Sequence, residues 1–254
     1  MPKRLIINAD DYGRSPEISR GIREAHLQGV VTSTTCMMNI PTTVRDIVLA
    51  LHEAPGLKMG VHLVLTAKKP ILPWEWVKSI TDENGNFRTY QPFINNLPKV
   101  DITEVKAEWR AQIEAFIAAA GTKPTHLDSH HHSSYFTTDL FRAMVDLAKE
   151  YDCAIRCNVN AQLAKTENQV FELMNNSGPR RPDHFIEDFY DEGATRENLL
   201  GIINNLSDGT SELMCHPGHV DKEFAKKESI YNFQRKREFS ILTDPAISQA
   251  IQEN

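Results

Sequence analysis

Seven short apolar runs, separated by stretches of helical periodicity, set the first limit on how this chain can fold. They are Arg4–Asn8, Val31–Met38, Leu57–Leu65, Thr125–His130, Ala154–Asn158, His184–Tyr190 and Glu212–Cys215. Strand, helix and strand repeated in this way imply parallel strands joined by crossover helices, so an α/β fold is expected. The pattern leaves two architectures open, a doubly wound sheet and a barrel. Neither GxGxxG nor GxxxxGK[ST] occurs, which favours a barrel. A single domain over residues 1–254 is expected, because one α/β barrel of this length is common.

Two helices have readable ends. Ser15 is placed to cap a helix running to Leu27, with Pro16 at its first position and Gly29 near its stop. The spacing predicts a second helix over Ile102–Ala120. Asp101 can cap it, Glu104 lies three residues on, and Gly121 ends it. Val105, Trp109, Ile113, Phe116 and Ile117 form its apolar stripe. The segment Lys68–Lys99 breaks the rhythm with Pro70, Pro73, Asn84-Gly85, Pro92 and Pro98. It is expected as a long insertion over the barrel mouth, too short for a core of its own. Core packing is the expected fate of its Trp74 and Trp76, with stacking on sugar faces as the alternative.

The formal net charge is −6 and no run of five Lys or Arg occurs, which argues against nucleic acid and anionic membranes as partners. The apolar runs fall short of a membrane span, and the N-terminus does not read as a signal peptide. A cytoplasmic location follows as the expectation. Cys36, Cys153, Cys157 and Cys215 are then expected as reduced core residues. Sequence does not fix oligomeric state; a homodimer is the working assumption.

Histidine and aspartate gather at the ends of the predicted strands. Asp10-Asp11 follow the first run, His62 lies in the third, and His126, Asp128, His130, His131 and His132 lie in or after the fourth. His216 follows the seventh. Parallel α/β folds place their sites at the C-terminal strand ends. Carboxylates and imidazoles together suit Zn²⁺ and related divalent ions. If the fourth strand continues, Asp128 and His130 share a face and His131 points the other way.

Several segments resemble the YdjC-like (ChbG-type) carbohydrate deacetylases. They are Asn8-Ala9-Asp10-Asp11-Tyr12-Gly13, Val31-Thr32-Ser33-Thr34-Thr35, Gly60-Val61-His62-Leu63, residues Lys123 to His132, and Cys215-His216-Pro217-Gly218. The resemblance runs in order from residue 4 to about residue 245. Tyr12 stands where many members carry Phe, and the insertion matches poorly, so the exact sugar stays open. The resemblance implies an irregular β/α barrel that binds a divalent ion, Mg²⁺ or Zn²⁺, and removes acetyl groups from N-acetylated sugars, such as chitooligosaccharides or N-acetylglucosamine derivatives. It makes Asp11, His62 and His130 the metal ligands and Asp10 the general base. It sets His216 where a second catalytic residue is expected, to protonate the leaving amine. Arg156 would orient Asp10 or bind substrate, with a structural ion pair as the equal alternative. Asp128 would steady a ligating histidine. The segment Arg181-Pro182-Asp183-His184-Phe185 also resembles the family without a role. Two other functions are kept open. A glycoside hydrolase acting on a phosphorylated disaccharide would need two carboxylates about 5–9.5 Å apart across one bond. A non-catalytic sugar-binding protein would need no base at all.

Overall fold

A computed structural model describes residues 2–158, 178–220 and 231–254. In chain order the strands are β1 (Lys3–Tyr12), β2 (Ser33–Cys36), β3 (Lys58–Leu63), β4 (His126–Ser129), β5 (Ala154–Ile155), β6 (His184–Ile186) and β7 (Gly209–Cys215). The described α-helices are α1 (Pro16–Gln28), α2 (Thr43–Glu53), α3 (Tyr90–Asn96), α4 (Ile102–Ala120), α5 (Thr138–Tyr151), α6 (Arg196–Asn204), α7 (Phe233–Leu242) and α8 (Pro245–Glu253). The chain divides into two compact units.

The first unit comprises Met1–Cys36, Arg45–Met59 and Pro182–Asn254. Its strands run β2-β1-β7-β6, each pair parallel. β1 lies between two neighbours, and its last six residues are buried, as expected of an inner parallel strand. It runs four residues past the predicted end, so Asp10 and Asp11 belong to the strand itself. α1 starts as its sequence indicates, with the Ser15 hydroxyl accepting from Ile18 N at 3.2 Å. Asp183 Oδ2 accepts from Thr210 N at 2.8 Å, which gives the Arg181–Phe185 segment a structural task in joining β6 to β7.

The second unit comprises Met37–Val44 and Gly60–Arg181. Here β3, β4 and β5 pair in parallel, with His62 opposite Asp128 and Leu127 opposite Ile155. β5 stops at Ile155, three residues before the predicted end. On α4, Asp101 caps Thr103 N at 2.8 Å, and Gly121 adopts the left-handed φ of 69° that ends the helix. Val105, Trp109, Ile113 and Phe116 are buried as the stripe requires, while Ile117 is only partly covered. Glu104 does not close a capping box. It accepts instead from Ser79 N at 2.7 Å, and the buried Glu108 accepts from Ile71 N and Leu72 N at 2.9 and 3.0 Å. These carboxylates fasten the insertion to α4 by its backbone, and Val77, Ile80, Phe87 and Phe93 are buried. Trp74 and Trp76 do not enter the core. They are 44% and 68% exposed, on a short turn whose neighbours already supply the apolar anchors.

Trp109 is fully buried at the centre of the α4 stripe. Trp109→Ala is expected to destabilise the fold by about 3–5 kcal/mol, the usual cost of emptying a large core site. Urea unfolding followed by circular dichroism measures it; a loss below about 1 kcal/mol would mean that the stripe collapses to fill the space.

Candidate active site

In the first unit the site begins with an irregularity in β1. The register against β2 shifts between Ala9 and Tyr12, and Asp11 adopts a left-handed φ of 69°. A regular strand would send Asp10 and Asp11 to opposite faces. The bulge and the left-handed residue break that alternation, an arrangement that costs free energy and is typical of sites. Asp10 Oδ1 accepts from Asn8 Nδ2 at 2.9 Å, and Asn8 Oδ1 in turn accepts from Ser33 Oγ at 2.7 Å. Asp10 Oδ2 lies 3.9 Å from His216 Nε2. Asp11 Oδ2 pairs with Arg235 Nη2 and lies 3.3 Å from Arg14 Nη1.

α7 supplies groups that periodicity alone does not announce. Its buried side chains are Arg235, Glu238 and Leu242, so a charged pair three residues apart occupies the inner stripe where apolar residues are usual. Arg235 joins the two halves of the cluster, since its Nη1 also donates to His216 O at 3.3 Å. Glu238 accepts from His216 N and, at 2.5 Å, from the Tyr231 hydroxyl. Burial pushes the Glu238 carboxyl up to about 7, against the lowering pull of its two donors and Arg235. Tyr190 and Tyr231 stack at 4.7 Å and 5°, and the His216 ring meets them edge-on at 5.4 and 5.7 Å.

In the second unit, His62 and Asp128 are register partners on β3 and β4. His62 Nδ1 lies 2.7 Å from Asp128 Oδ1, and Arg156 Nη1 lies 3.1 Å from Asp128 Oδ2. An ionised carboxylate only accepts, so His62 Nδ1 carries the proton and Nε2 keeps its lone pair. That Nε2 faces His130 Nδ1 at 3.3 Å. Two imidazole nitrogens brought together, one of them oriented by a carboxylate, match the donor chemistry of a first-row divalent ion. Arg156 is fully buried against Asp128, the ion-pair alternative that the sequence left open.

The histidine tract departs from expectation. β4 ends at Ser129, and His131 and His132 both adopt a left-handed φ of 55°. Strand alternation therefore stops before it can turn His131 away. The tract curls back, with the rings of His130 and His131 4.0 Å apart at 31°. His131 Nδ1 lies 3.0 Å from Thr66 Oγ1, and Tyr90 of the insertion meets the His131 ring edge-on. Tyr135 ties the turn to the end of β5 by donating to Arg156 O at 2.6 Å. The four cysteines are buried thiols, as expected.

Glu238 gives a pH signature with a definite sign. In the folded chain it keeps its proton up to about pH 7, whereas its ordinary value is 4.5. The unfolded chain thus binds fewer protons between these values, and stability falls as pH rises from 4.5 to about 7. Glu238→Gln, which has no proton to lose, is expected to abolish that fall, which is worth on the order of 3 kcal/mol. Denaturant midpoints across this window check it; parallel profiles for both proteins would refute it.

The family model described as YdjC-like protein matches residues 4–253. A carbohydrate deacetylase from Enterococcus faecalis strain V583 is 38% identical over 99% of this chain and 94% of its own. A chitooligosaccharide deacetylase from Yersinia enterocolitica is 32% identical over 100% of this chain and 96% of its own. A crystal structure from Enterococcus faecalis V583, of a candidate cellobiose-phosphate cleavage protein, superposes with a TM-score of 0.91 at 38% identity. It covers 100% of this chain and 95% of that one. A likeness of that extent establishes the expected fold class, barrel-like α/β with seven parallel strands. Matched from near its first residue to near its last, the chain belongs to the YdjC-like family.

Proposed function

We propose that this chain is a metal-dependent carbohydrate deacetylase that hydrolyses the acetamide of an N-acetylated sugar. It would work as one catalytic domain over residues 1–254, in the cytoplasm. The observation that supports it most directly is the pairing of a buried carboxylate, Asp10, with the imidazole of His216 at 3.9 Å. Amide hydrolysis needs a base to take a proton from water and an acid to give one to the leaving amine. Asp10, fixed through Oδ1 by Asn8, is suited to the first task at its other oxygen. His216, whose backbone N–H is held by Glu238, is suited to the second at Nε2. The names of the Enterococcus and Yersinia relatives point to the same reaction.

The ligands proposed are Asp11, His62 and His130, all buried: one carboxylate and two imidazoles. That donor set fits Zn²⁺ and is compatible with Mg²⁺. When bound, such an ion polarises the acetyl carbonyl and makes the attacking water more acidic. Asp128 holds His62 in the tautomer a ligand requires, and Arg156 keeps Asp128 aligned. Arg235 and Arg14 anchor one oxygen of Asp11 and fix the direction of the other.

The name of the superposed Enterococcus structure suggests cleavage of a phosphorylated disaccharide instead. Glycoside hydrolysis uses two carboxylates on either side of one bond. Here Asp11 is neutralised by guanidinium groups, and Asp10 pairs with a histidine, so the deacetylase fits better. A protein that only bound sugar would have no use for a buried base beside an acid.

Acetate release from N-acetylated mono- and oligosaccharides, with and without chelator, separates the three readings. Release abolished by chelator is expected; release of free sugar without acetate would favour the glycosidase. His62→Ala and His130→Ala are each expected to lose metal and activity with the fold intact, and full metal occupancy in both would sink the ligand assignment. Asp10→Asn is expected to keep stoichiometric metal while turnover falls by roughly 10²–10⁴-fold. Asp11→Asn should instead lose metal, with partial recovery when metal is added. If these two outcomes are exchanged, the roles of the aspartates are exchanged as well.

A further inference from the structure

Tyr190 follows β6 and is the most conspicuous exposed group beside His216. It is 45% exposed, yet held with unusual firmness for a surface side chain. Its neighbour Phe189 is fully buried. Asp191, next along, takes a left-handed φ of 47° and is fastened at three atoms. Its N–H donates to the Tyr231 hydroxyl at 2.9 Å, its Oδ1 accepts from Gln234 Nε2 at 2.9 Å, and its carbonyl accepts from Arg237. Gly193 N donates back to Tyr190 O at 2.9 Å. A Cβ at position 193 would sit 2.2 Å from Asp188 O, so the turn depends on glycine there.

The Tyr190 ring is fixed as well as its backbone. It lies parallel to Tyr231 at 4.7 Å, and Tyr231 is oriented by the donor to its oxygen and by its own bond to Glu238. One face of Tyr190 is therefore covered by Tyr231, and the residue still keeps 45% of its area exposed. A rigid aromatic face next to a proton donor suits a pyranose ring, whose axial C–H groups present an apolar surface while its hydroxyls stay in water. Holding that face in place beforehand removes the cost of ordering it on binding.

We infer that the exposed face of Tyr190 is the platform on which the sugar ring of the substrate stacks, setting its acetamido group against the Asp10–His216 pair. This rests on the deacetylase reading. Tyr190 is then a substrate-binding residue that acts mainly on KM.

The test uses the full-length, metal-loaded protein with N,N′-diacetylchitobiose as probe. Tyr190→Ala is expected to raise KM about tenfold while kcat changes less than threefold, and Tyr190→Phe to restore KM to within about twofold. In an Asp10→Asn background, where the predicted roughly 10²–10⁴-fold slower turnover leaves the disaccharide largely intact during a titration, Tyr190→Ala should weaken its binding about tenfold in calorimetry. Tyr190→Leu keeps an apolar cover over Tyr231 and replaces the alanine variant if that one unfolds; it too should raise KM. A fall in kcat at unchanged KM would overturn the inference and make Tyr190 a brace for His216. Unchanged KM and Kd would place the stacking surface elsewhere. If the unaltered protein releases no acetate from any sugar tried, the deacetylase reading fails first, before any variant is made.

Discussion

A carboxylate taken out of water must find a cation or several donors, and each unit of this protein meets that need with a buried arginine. Asp11 has Arg235, and Asp128 has Arg156. Pairs of this kind add little net stability, because desolvating two ions cancels most of their attraction. What they provide is direction. With one oxygen of Asp128 committed to Arg156, the other meets His62 along a single line and decides which ring nitrogen holds the proton. With Asp11 tied to Arg235, and Arg235 tied to the carbonyl of His216, the β1 bulge is fixed to the end of β7. Loss of either arginine would remove the buried cation facing that carboxylate, which is more costly than the pair was beneficial.

Charged side chains on the inner stripe of α7 extend the same logic. Arg235 answers Asp11, and Glu238 answers a backbone N–H and a phenol. The result is a polar network in which each member constrains the next: Asn8 to Asp10, Asp10 to His216, His216 to Glu238, Glu238 to Tyr231. Such networks rigidify a site when their members are satisfied.

The parallel α/β class was legible because buried parallel strands write themselves as continuous apolar runs, and the helix ends at Ser15, Asp101 and Gly121 were legible because caps are local chemistry. The aspartates and histidines stood out because unlike residues gathered at strand ends. Three features escaped for physical reasons. The curl at His131 and His132 depends on a strand ending one residue early, and periodicity does not mark such an ending. Glu104 reads as half of a capping box, yet the insertion offers it Ser79 N, a tertiary partner invisible to local pattern. Arg235 and Glu238 lie more than two hundred residues from β1, so only the folded chain brings Asp11 and Arg235 together.

The 224-residue separation between Asp11 and Arg235 bears on how the chain is made. Strand β1 emerges from the ribosome before the other described strands, but its partner β7 spans Gly209–Cys215 and follows some two hundred residues later. Until then one edge of β1 has no native neighbour, and an open edge of buried, apolar strand is a template for wrong pairing. The carboxylate of Asp11, with Arg14 close by in sequence, likewise waits for the buried guanidinium of Arg235 until α7 has been synthesised. Non-local closure of this kind slows folding and prolongs the exposure of intermediates. Nascent chains stalled before α7 would therefore be the form most dependent on chaperones, since the Asp11–Arg235 pair closes only after both ends of that long separation have been made.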